Sequence, residues 1–180
     1  MDEFYIRKVC NGDVQAYRYF IKKFQAVSLS VALSIVKDQF VAEEIVQDAF
    51  VKAFNAMPGF RSDSKFSSWF YRIVVNEAFM QLKRAKHQVE YREYYEEDIV
   101  DEHEVLSLQN EEQAQLINRA LLMLPPNESL ALQLFYLQEE SLREVCAATG
   151  WTTANAKVIL HRARKSIRMA MNNLLKNSNI

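Results

Sequence analysis

Glycine and proline each occur only three times in 180 residues. They stand where apolar-periodic runs stop, at Gly12, Pro58 with Gly59, Pro125 with Pro126, and Gly150. Breakers this scarce leave long uninterrupted segments rich in Phe, Tyr, Leu and Ala, whose apolar residues recur at steps of three and four. No segment alternates apolar and polar residues as a half-buried strand must. The chain is therefore expected to be all-α.

The most informative stretch is Ser141 to Arg168, SLREVCAATGWTTANAKVILHRARKSIR. Ser141 followed by Glu144 makes a capping box, and Leu142, Val145 and Cys146 form an apolar stripe behind it. Gly150 lacks a Cβ and can take the left-handed conformation that ends a helix, Trp151 is a bulky apolar plug, and Thr152 or Thr153 offers a hydroxyl to cap the next helix. In that helix Ala156, Leu160, Ala163, Ile167, Met171 and Leu174 keep one face. Lys157, His161, Arg164 and Arg168 fall on another, with Arg162 and Lys165 flanking them. The whole reads as a helix-turn-helix. After Glu144 no acidic residue occurs, so this end of the chain should attract phosphates.

Upstream, Asn11, Gly12 and Asp13 can cap a helix whose stripe is Ala16, Phe20 and Phe24, and Ser28 to Val36 is apolar enough for a second, buried helix. Asp38 precedes a third, with Ala42, Ile45, Val46, Ala49, Phe50 and Ala53 inward and Glu43, Glu44, Gln47 and Asp48 together on the outer face. An acidic face of this kind is either solvated or a docking surface for a basic partner. The segment Phe60 to Ser68 mixes Ser and Asp with Arg61 and Lys65 between two aromatics, as a structured loop would. A fourth helix follows, in which Trp69, Ile73 and Phe70 can face inward while Tyr71 and Arg72 lie partly outside. Aromatics beside cations suit unstacked bases as well as a core. From Glu90 to Glu104 acids dominate, which marks a linker. Leu116, Ala120, Leu121 and Leu124 then form a stripe ended by Pro125 and Pro126, and Asn127 can cap a helix carrying Leu130, Leu134 and Leu137. The expected architecture is two small helical domains, 1–89 and 109–180, joined by an acidic flexible linker over 90–108.

A net charge of −1 rules out a uniformly basic nucleic-acid binder, so any DNA contact must come from local segregation of charge. Cys10 and Cys146 are far apart, and Cys146 takes an apolar-stripe position, so reduced thiols are expected rather than a disulfide framework. The start MDEFYIRKV does not read as a signal peptide, and no run of eighteen or more apolar residues occurs, so membrane insertion is not expected and the location should be cytoplasmic. No metal-spaced Cys/His cluster, Gly-rich phosphate loop or nucleophile elbow is present. Neither catalytic residues, a metal, a cofactor nor a small-molecule substrate is therefore expected.

These motifs, in this order, resemble the bacterial sigma factors, specifically the two-domain extracytoplasmic-function (ECF) group of the sigma-70 type, across nearly the whole chain. VAEEIVQDAFVKAF (41–54) resembles the helix that docks on the clamp of the largest core RNA polymerase subunit, and FRSDSKFSSWFYRIVVN (60–76) resembles the promoter-melting segment. Residues 116–167 resemble the domain that binds the upstream promoter element. The chain departs from the family pattern at Val41, where an acid is common, at Met80, where Asp is, at Glu139, where Gly is, and at Ile159, where a base is frequent.

The resemblance implies a polymerase-docking set of Glu43, Glu44, Gln47 and Asp48 facing a basic coiled coil. It implies a melted-promoter set of Phe60, Arg61, Ser64, Lys65, Phe66, Trp69, Arg72 and Asn76. In that set Asn76 would read one flipped base in a pocket shared with the loop, while Phe66 stacks and Arg61 holds phosphate. The duplex-contacting set would be Thr152, Thr153, Asn155, Lys157, His161, Arg162, Arg164 and Lys165. The acidic linker would run through the positively charged interior of polymerase, and an anti-sigma protein is an expected partner beside core polymerase and promoter DNA. A sigma-like decoy would not need the basic helix. A conventional helix-turn-helix regulator would leave the N-terminal motifs unexplained.

Overall fold

A computed structural model describes residues 1–90 and 109–177, with side chains placed for 1–85 and 113–176. The acidic linker expected over 90–108 lies outside the described residues, apart from the backbone of Glu90. All regular structure among the described residues is helical.

α1 (Asp2–Cys10) precedes a 3-10 turn (Val14–Tyr17) and α2 (Arg18–Val36). α1 starts without a side-chain cap, which leaves it without a sequence signal. It is held to α2 by Tyr5, stacked on Tyr19 at 4.0 Å, and by Asp2, which accepts from Tyr19 Oη at 2.6 Å and Lys23 Nζ at 2.5 Å. Asp13 caps the 3-10 turn by accepting from Ala16 N–H at 3.2 Å. The two helices expected over 14–36 are one, because nothing between Phe24 and Ser28 interrupts the backbone ladder. By length and composition alone Val14–Val36 is apolar enough to cross a membrane, although Arg18, Lys22 and Lys23 break its apolar run. Its Phe20, Phe24, Val31, Ala32 and Ile35 are buried against other helices, the pattern of a core helix.

α3 (Gln39–Ala56) begins where expected, with Asp38 accepting from Val41 N–H at 2.8 Å. It ends in a 3-10 turn (Met57–Gly59) containing Pro58. α4 (Phe66–Glu90) starts one turn earlier than its aromatic run suggests. Its inward face is also different. Phe66, Phe70, Tyr71, Val74, Val75 and Ala78 are buried, whereas Trp69 and Ile73 are only half-buried. Tyr71, expected partly outside, is 4% exposed because the C-terminal half packs over it.

α5 (Gln109–Leu122) leads through Pro125 to α6 (Pro126–Leu132), which continues as a π-helical turn (Gln133–Leu137). Asn127 does not cap α6. Pro125 takes the cap position without a side-chain bond, and Pro126 opens the helix, where its missing N–H costs nothing. α7 (Leu142–Thr149) and α8 (Thr153–Asn177) form the helix-turn-helix. The capping box is complete: Ser141 N–H donates to Glu144 Oε2 at 2.7 Å and Glu144 N–H to Ser141 Oγ at 3.3 Å. Gly150 takes φ 77°.

The two halves share one apolar cluster. Leu130, Leu134, Val145 and Ala148 are buried together with the aromatics of α2 and α4, while Ala120, Leu121, Leu124, Leu132, Ala163 and Ala170 form a second cluster inside the C-terminal half.

Candidate functional site

The outer face of α3 is set by its inner one. With Ala42, Ile45, Val46, Ala49 and Phe50 buried, Glu43, Glu44, Gln47 and Asp48 are all exposed and adjacent. Glu43 accepts from Gln39 Nε2 at 2.7 Å. Two apolar side chains missed by sequence reasoning flank the acids, Phe40 at 81% and Val51 at 61% exposure. The signal was available, since 40, 44, 47 and 51 share one strip at helical spacing. Lys52 pairs with Glu77 at 2.5 Å and ties this helix to α4.

The loop 60–65 and the start of α4 carry the second set. Arg61, Ser64 and Lys65 are exposed, and Phe60 lies half-buried on Trp69 with ring centres 5.1 Å apart. Phe66 is not available for stacking as expected. It is 4% exposed and packed against Phe20 at 4.4 Å, Phe24 at 5.5 Å and Phe60 at 5.7 Å. Helix phase turns its ring into the core, leaving Phe60 and Trp69 as the accessible aromatics. Trp69, Arg72 and Asn76 follow one another on the open side of α4 at steps of three and four, with Arg72 and Asn76 exposed.

The single pocket expected between the loop and Asn76 has no counterpart in the cleft beside the loop. A cleft of about 1070 Å³ does border the loop, lined by Phe60, Ser64, Lys65 and Phe66 and, opposite, by Glu140 and Glu144. Asn76 does not line it. It sits nearly three turns beyond Phe66, roughly 15 Å along the helix axis at the usual rise.

α8 presents the third set. Ala156, Ile159, Leu160 and Ala163 are buried, which leaves Lys157, His161, Arg162 and Lys165 exposed. Ile159 packs with Ala131, Phe135, Leu142 and Trp151 and so belongs to the helix-turn-helix core. At 3.6 residues per turn the strip opposite the core runs through Ala154, Val158, His161 and Lys165. Val158, 48% exposed, thus stands at the centre of a face that sequence reasoning assigned only to polar residues. Arg164 turns back and donates from Nη1 to Tyr136 Oη at 3.2 Å. Thr152 and Thr153 are both exposed, and Thr152 Oγ1 accepts from the exposed Asn155 N–H at 3.2 Å, which caps α8 and supports the hydroxyl expected there.

No group of three or more His, Cys, Asp or Glu able to hold a metal occurs among the described residues.

Known proteins resemble this chain along nearly its whole length. Sigma-70 region 2 matches residues 20–88, and Sigma-70 region 4 matches residues 114–167. The chain is 26% identical to the RNA polymerase sigma-H factor of Pseudomonas aeruginosa over 189 residues, 97% of this chain and 96% of that protein. It is 24% identical to the ECF sigma factor SigW of Bacillus subtilis, covering 94% of this chain and 96% of the relative. It is 28% identical to the ECF sigma-E factor of Escherichia coli, covering 92% of each. Two solved structures share the fold. One is CnrH in complex with the cytosolic domain of CnrY, with a TM-score of 0.66, 18% identity and coverage of 96% of this chain and 97% of that one. The other is the sigma factor RpoE of Bartonella quintana in complex with the anti-sigma factor NepR, with a TM-score of 0.68, 22% identity and coverage of 86% and 98%. With both sigma-70 regions present in order over more than half its length, the chain belongs to the ECF group of the sigma-70 family of bacterial RNA polymerase sigma factors.

Proposed function

We propose that this sigma factor divides its work among the three surfaces, with residues 1–89 and 109–180 acting as separate functional units. The acidic strip of α3, Glu43, Glu44, Gln47 and Asp48, docks on a basic surface of core polymerase. The exposed face of α8 reads the upstream promoter element as duplex, with Lys157, His161 and Arg162 in the major groove and the N-terminus of α8 toward phosphate. Phe60, Arg61, Ser64, Lys65, Trp69, Arg72 and Asn76 hold the downstream element as a melted strand, the aromatics by stacking and the cations on phosphate. The chain supplies recognition and strand capture to the polymerase and performs no catalytic step of its own. Its place of action is the cytoplasm, with the polymerase and the promoter.

One observation carries this reading. A chain of net charge −1 exposes a cluster of acids on α3 and a largely basic strip on α8, each fixed by the burial of the opposite face of its helix. CnrH and RpoE are each seen in complex with a second protein, the latter an anti-sigma factor, and this chain is proposed to be held in check by such a partner. The deciding experiment is transcription from genomic promoters by core polymerase with and without the protein. Promoter-specific transcripts that require it are expected. Their absence, with a folded protein, overturns the reading.

A further inference from the structure

α7 lies across the start of α4. Its Val145 and Ala148 are 0% and 2% exposed, within the apolar cluster that also holds Phe24, Phe66 and Tyr71. From the same helix the Glu144 carboxylate pairs through Oε1 with the Lys65 ammonium of the loop, while its Oε2 closes the capping box. Glu140 stands beside Glu144 and hydrogen-bonds with it and with Ser67. Together these carboxylates form the wall of the cleft that faces Ser64, Lys65 and Phe66. Lys65 is otherwise exposed, with 68% of its side chain accessible, so this pairing governs what else its ammonium can hold.

Carboxylate and phosphate oxygens compete for the same ammonium, since both are charged acceptors at hydrogen-bond distance. A strand seated on the cleft side of the loop would also have to occupy the volume that α7 fills. The strip of α8 around His161 and Arg162 remains open in the same arrangement.

We propose that the first helix of the helix-turn-helix, through Glu144 and with Glu140 just before it, is an internal competitor docked on the strand-opening loop, where the Glu144 carboxylate stands in for a phosphate of melted promoter DNA. The free chain is then occluded selectively. Its duplex-reading face is available, while Lys65 reaches a single strand only after α7 has left. The inference rests on the assignment of Lys65 to the melted strand made above. It adds that opening of the two halves must accompany strand capture.

The test uses the full chain and a short fluorescent single-stranded oligodeoxynucleotide of promoter sequence, with the matching duplex as a second probe, followed by anisotropy. The variant Glu140→Gln with Glu144→Gln removes the Glu144 charge that pairs with Lys65 and the carboxyl beside it. Gln at the third helical position still completes a capping box, so α7 keeps its start. Single-strand affinity is expected to rise roughly tenfold, the scale of one charge-assisted contact, and duplex affinity to stay the same. The duplex arm controls for net charge, because a general electrostatic gain tightens both probes. Adding Lys65→Ala to the double variant should abolish the gain. Hydrogen exchange in 60–67 and in α7 should accelerate in the double variant, which reports release directly. Unchanged single-strand affinity with Lys65→Ala still weakening it overturns the competitor while leaving the Lys65 assignment intact. Single-strand binding indifferent to Lys65 in every background overturns both.

Discussion

The Lys37 ammonium donates to the backbone carbonyl of Leu121 at 2.9 Å, so a lysine of the N-terminal half caps the last turn of α5 in the C-terminal half. The same carbonyl accepts from Ser129 Oγ at 2.9 Å. A cation at a helix C-terminus is favoured by the unpaired carbonyls there, but this one is reached at the cost of burial, which pushes Lys37 down to about 8. The Lys65–Glu144 pair is a second charged contact between the halves.

The first prediction is a stability minimum for interdomain packing near pH 7 to 8. Burial, then the adjacent Glu144, raises Glu140 from its ordinary 4.5 to about 7, with Lys65 and Ser67 opposing and Tyr71 alongside. A raised carboxyl favours the packed form fully below about 4.5, and that contribution is lost as pH rises to 7. Lys37 is lowered from 10.5 to about 8. It penalises packing fully below 8, and the penalty is relieved as pH climbs toward 10.5. Glu144, held down to about 2 chiefly by Lys65, stays ionised in both forms over this range. The radius of gyration from X-ray scattering should peak between pH 7 and 8. Glu140→Gln should flatten the acid limb and Lys37→Met the alkaline one. A radius that shrinks steadily from pH 5 to 8 would contradict the assignment.

Glu139 occupies φ 53° in the turn before α7. A residue with a Cβ pays roughly 1–2 kcal/mol there, partly offset by the greater chain entropy that glycine loses on folding. Glu139→Gly should therefore stabilise the protein, by up to about 1 kcal/mol. Urea unfolding measures it, and a loss of stability would show the turn is not strained.

Glu44→Lys with Asp48→Lys should weaken binding to core polymerase by several kcal/mol together, on the order of a like-charge juxtaposition in an interface. Both side chains are exposed, so the thermal unfolding curve should be unchanged. Retained binding by the folded double variant removes α3 as the docking helix. Phe40→Ser supplies an apolar counterpart and should also weaken binding, without any change of charge.

On duplex DNA, Arg162→Ala should cost about 1–3 kcal/mol at one promoter position if the guanidinium reads guanine, or lower affinity evenly if it holds phosphate. Val158, at the centre of the exposed strip, is placed to touch a thymine methyl. Replacing promoter thymines one at a time by uracil should reveal a position where the wild type loses affinity and Val158→Ala does not. Insensitivity of binding to Lys157→Ala, Arg162→Ala and every uracil would mean that another face of α8 meets the groove.

Asn76→Ala should keep the fold and polymerase binding, fail on closed duplex promoter and recover partly on a template with a premelted bubble. An exposed Asn inside a helix costs up to about 0.7 kcal/mol relative to Ala, so a purely structural role predicts equal or greater stability with activity intact. Transcription on the two templates separates these outcomes.

Much of the candidate site was legible because helix phase is a local property. Burial of Ala42, Ile45, Val46 and Ala49 implies exposure of Glu43, Glu44, Gln47 and Asp48, whatever α3 packs against. The same holds for Ala156, Leu160 and Ala163 against Lys157 and His161. Phe66, Tyr71 and Asn76 were less legible. In α4 apolar residues occupy more than one face, so spacing alone does not choose which aromatic points inward. The choice depends on where α2, α3 and α7 lie.

The sequence by itself determined the all-helical class, the caps at Asp38 and Ser141, the left-handed stop at Gly150 and the charge of each exposed strip. Each depends on residues within about one helical turn of one another, whose interactions persist in any arrangement of the chain. Only the tertiary structure decided that Val145 and Ala148 complete the core of the N-terminal half, that Glu144 is shared between its own helix cap and Lys65, and that Lys37 reaches Leu121. An apolar stripe specifies that a face must be covered but not by what, and these partners are far apart in the chain, so their pairing follows from how the two halves pack.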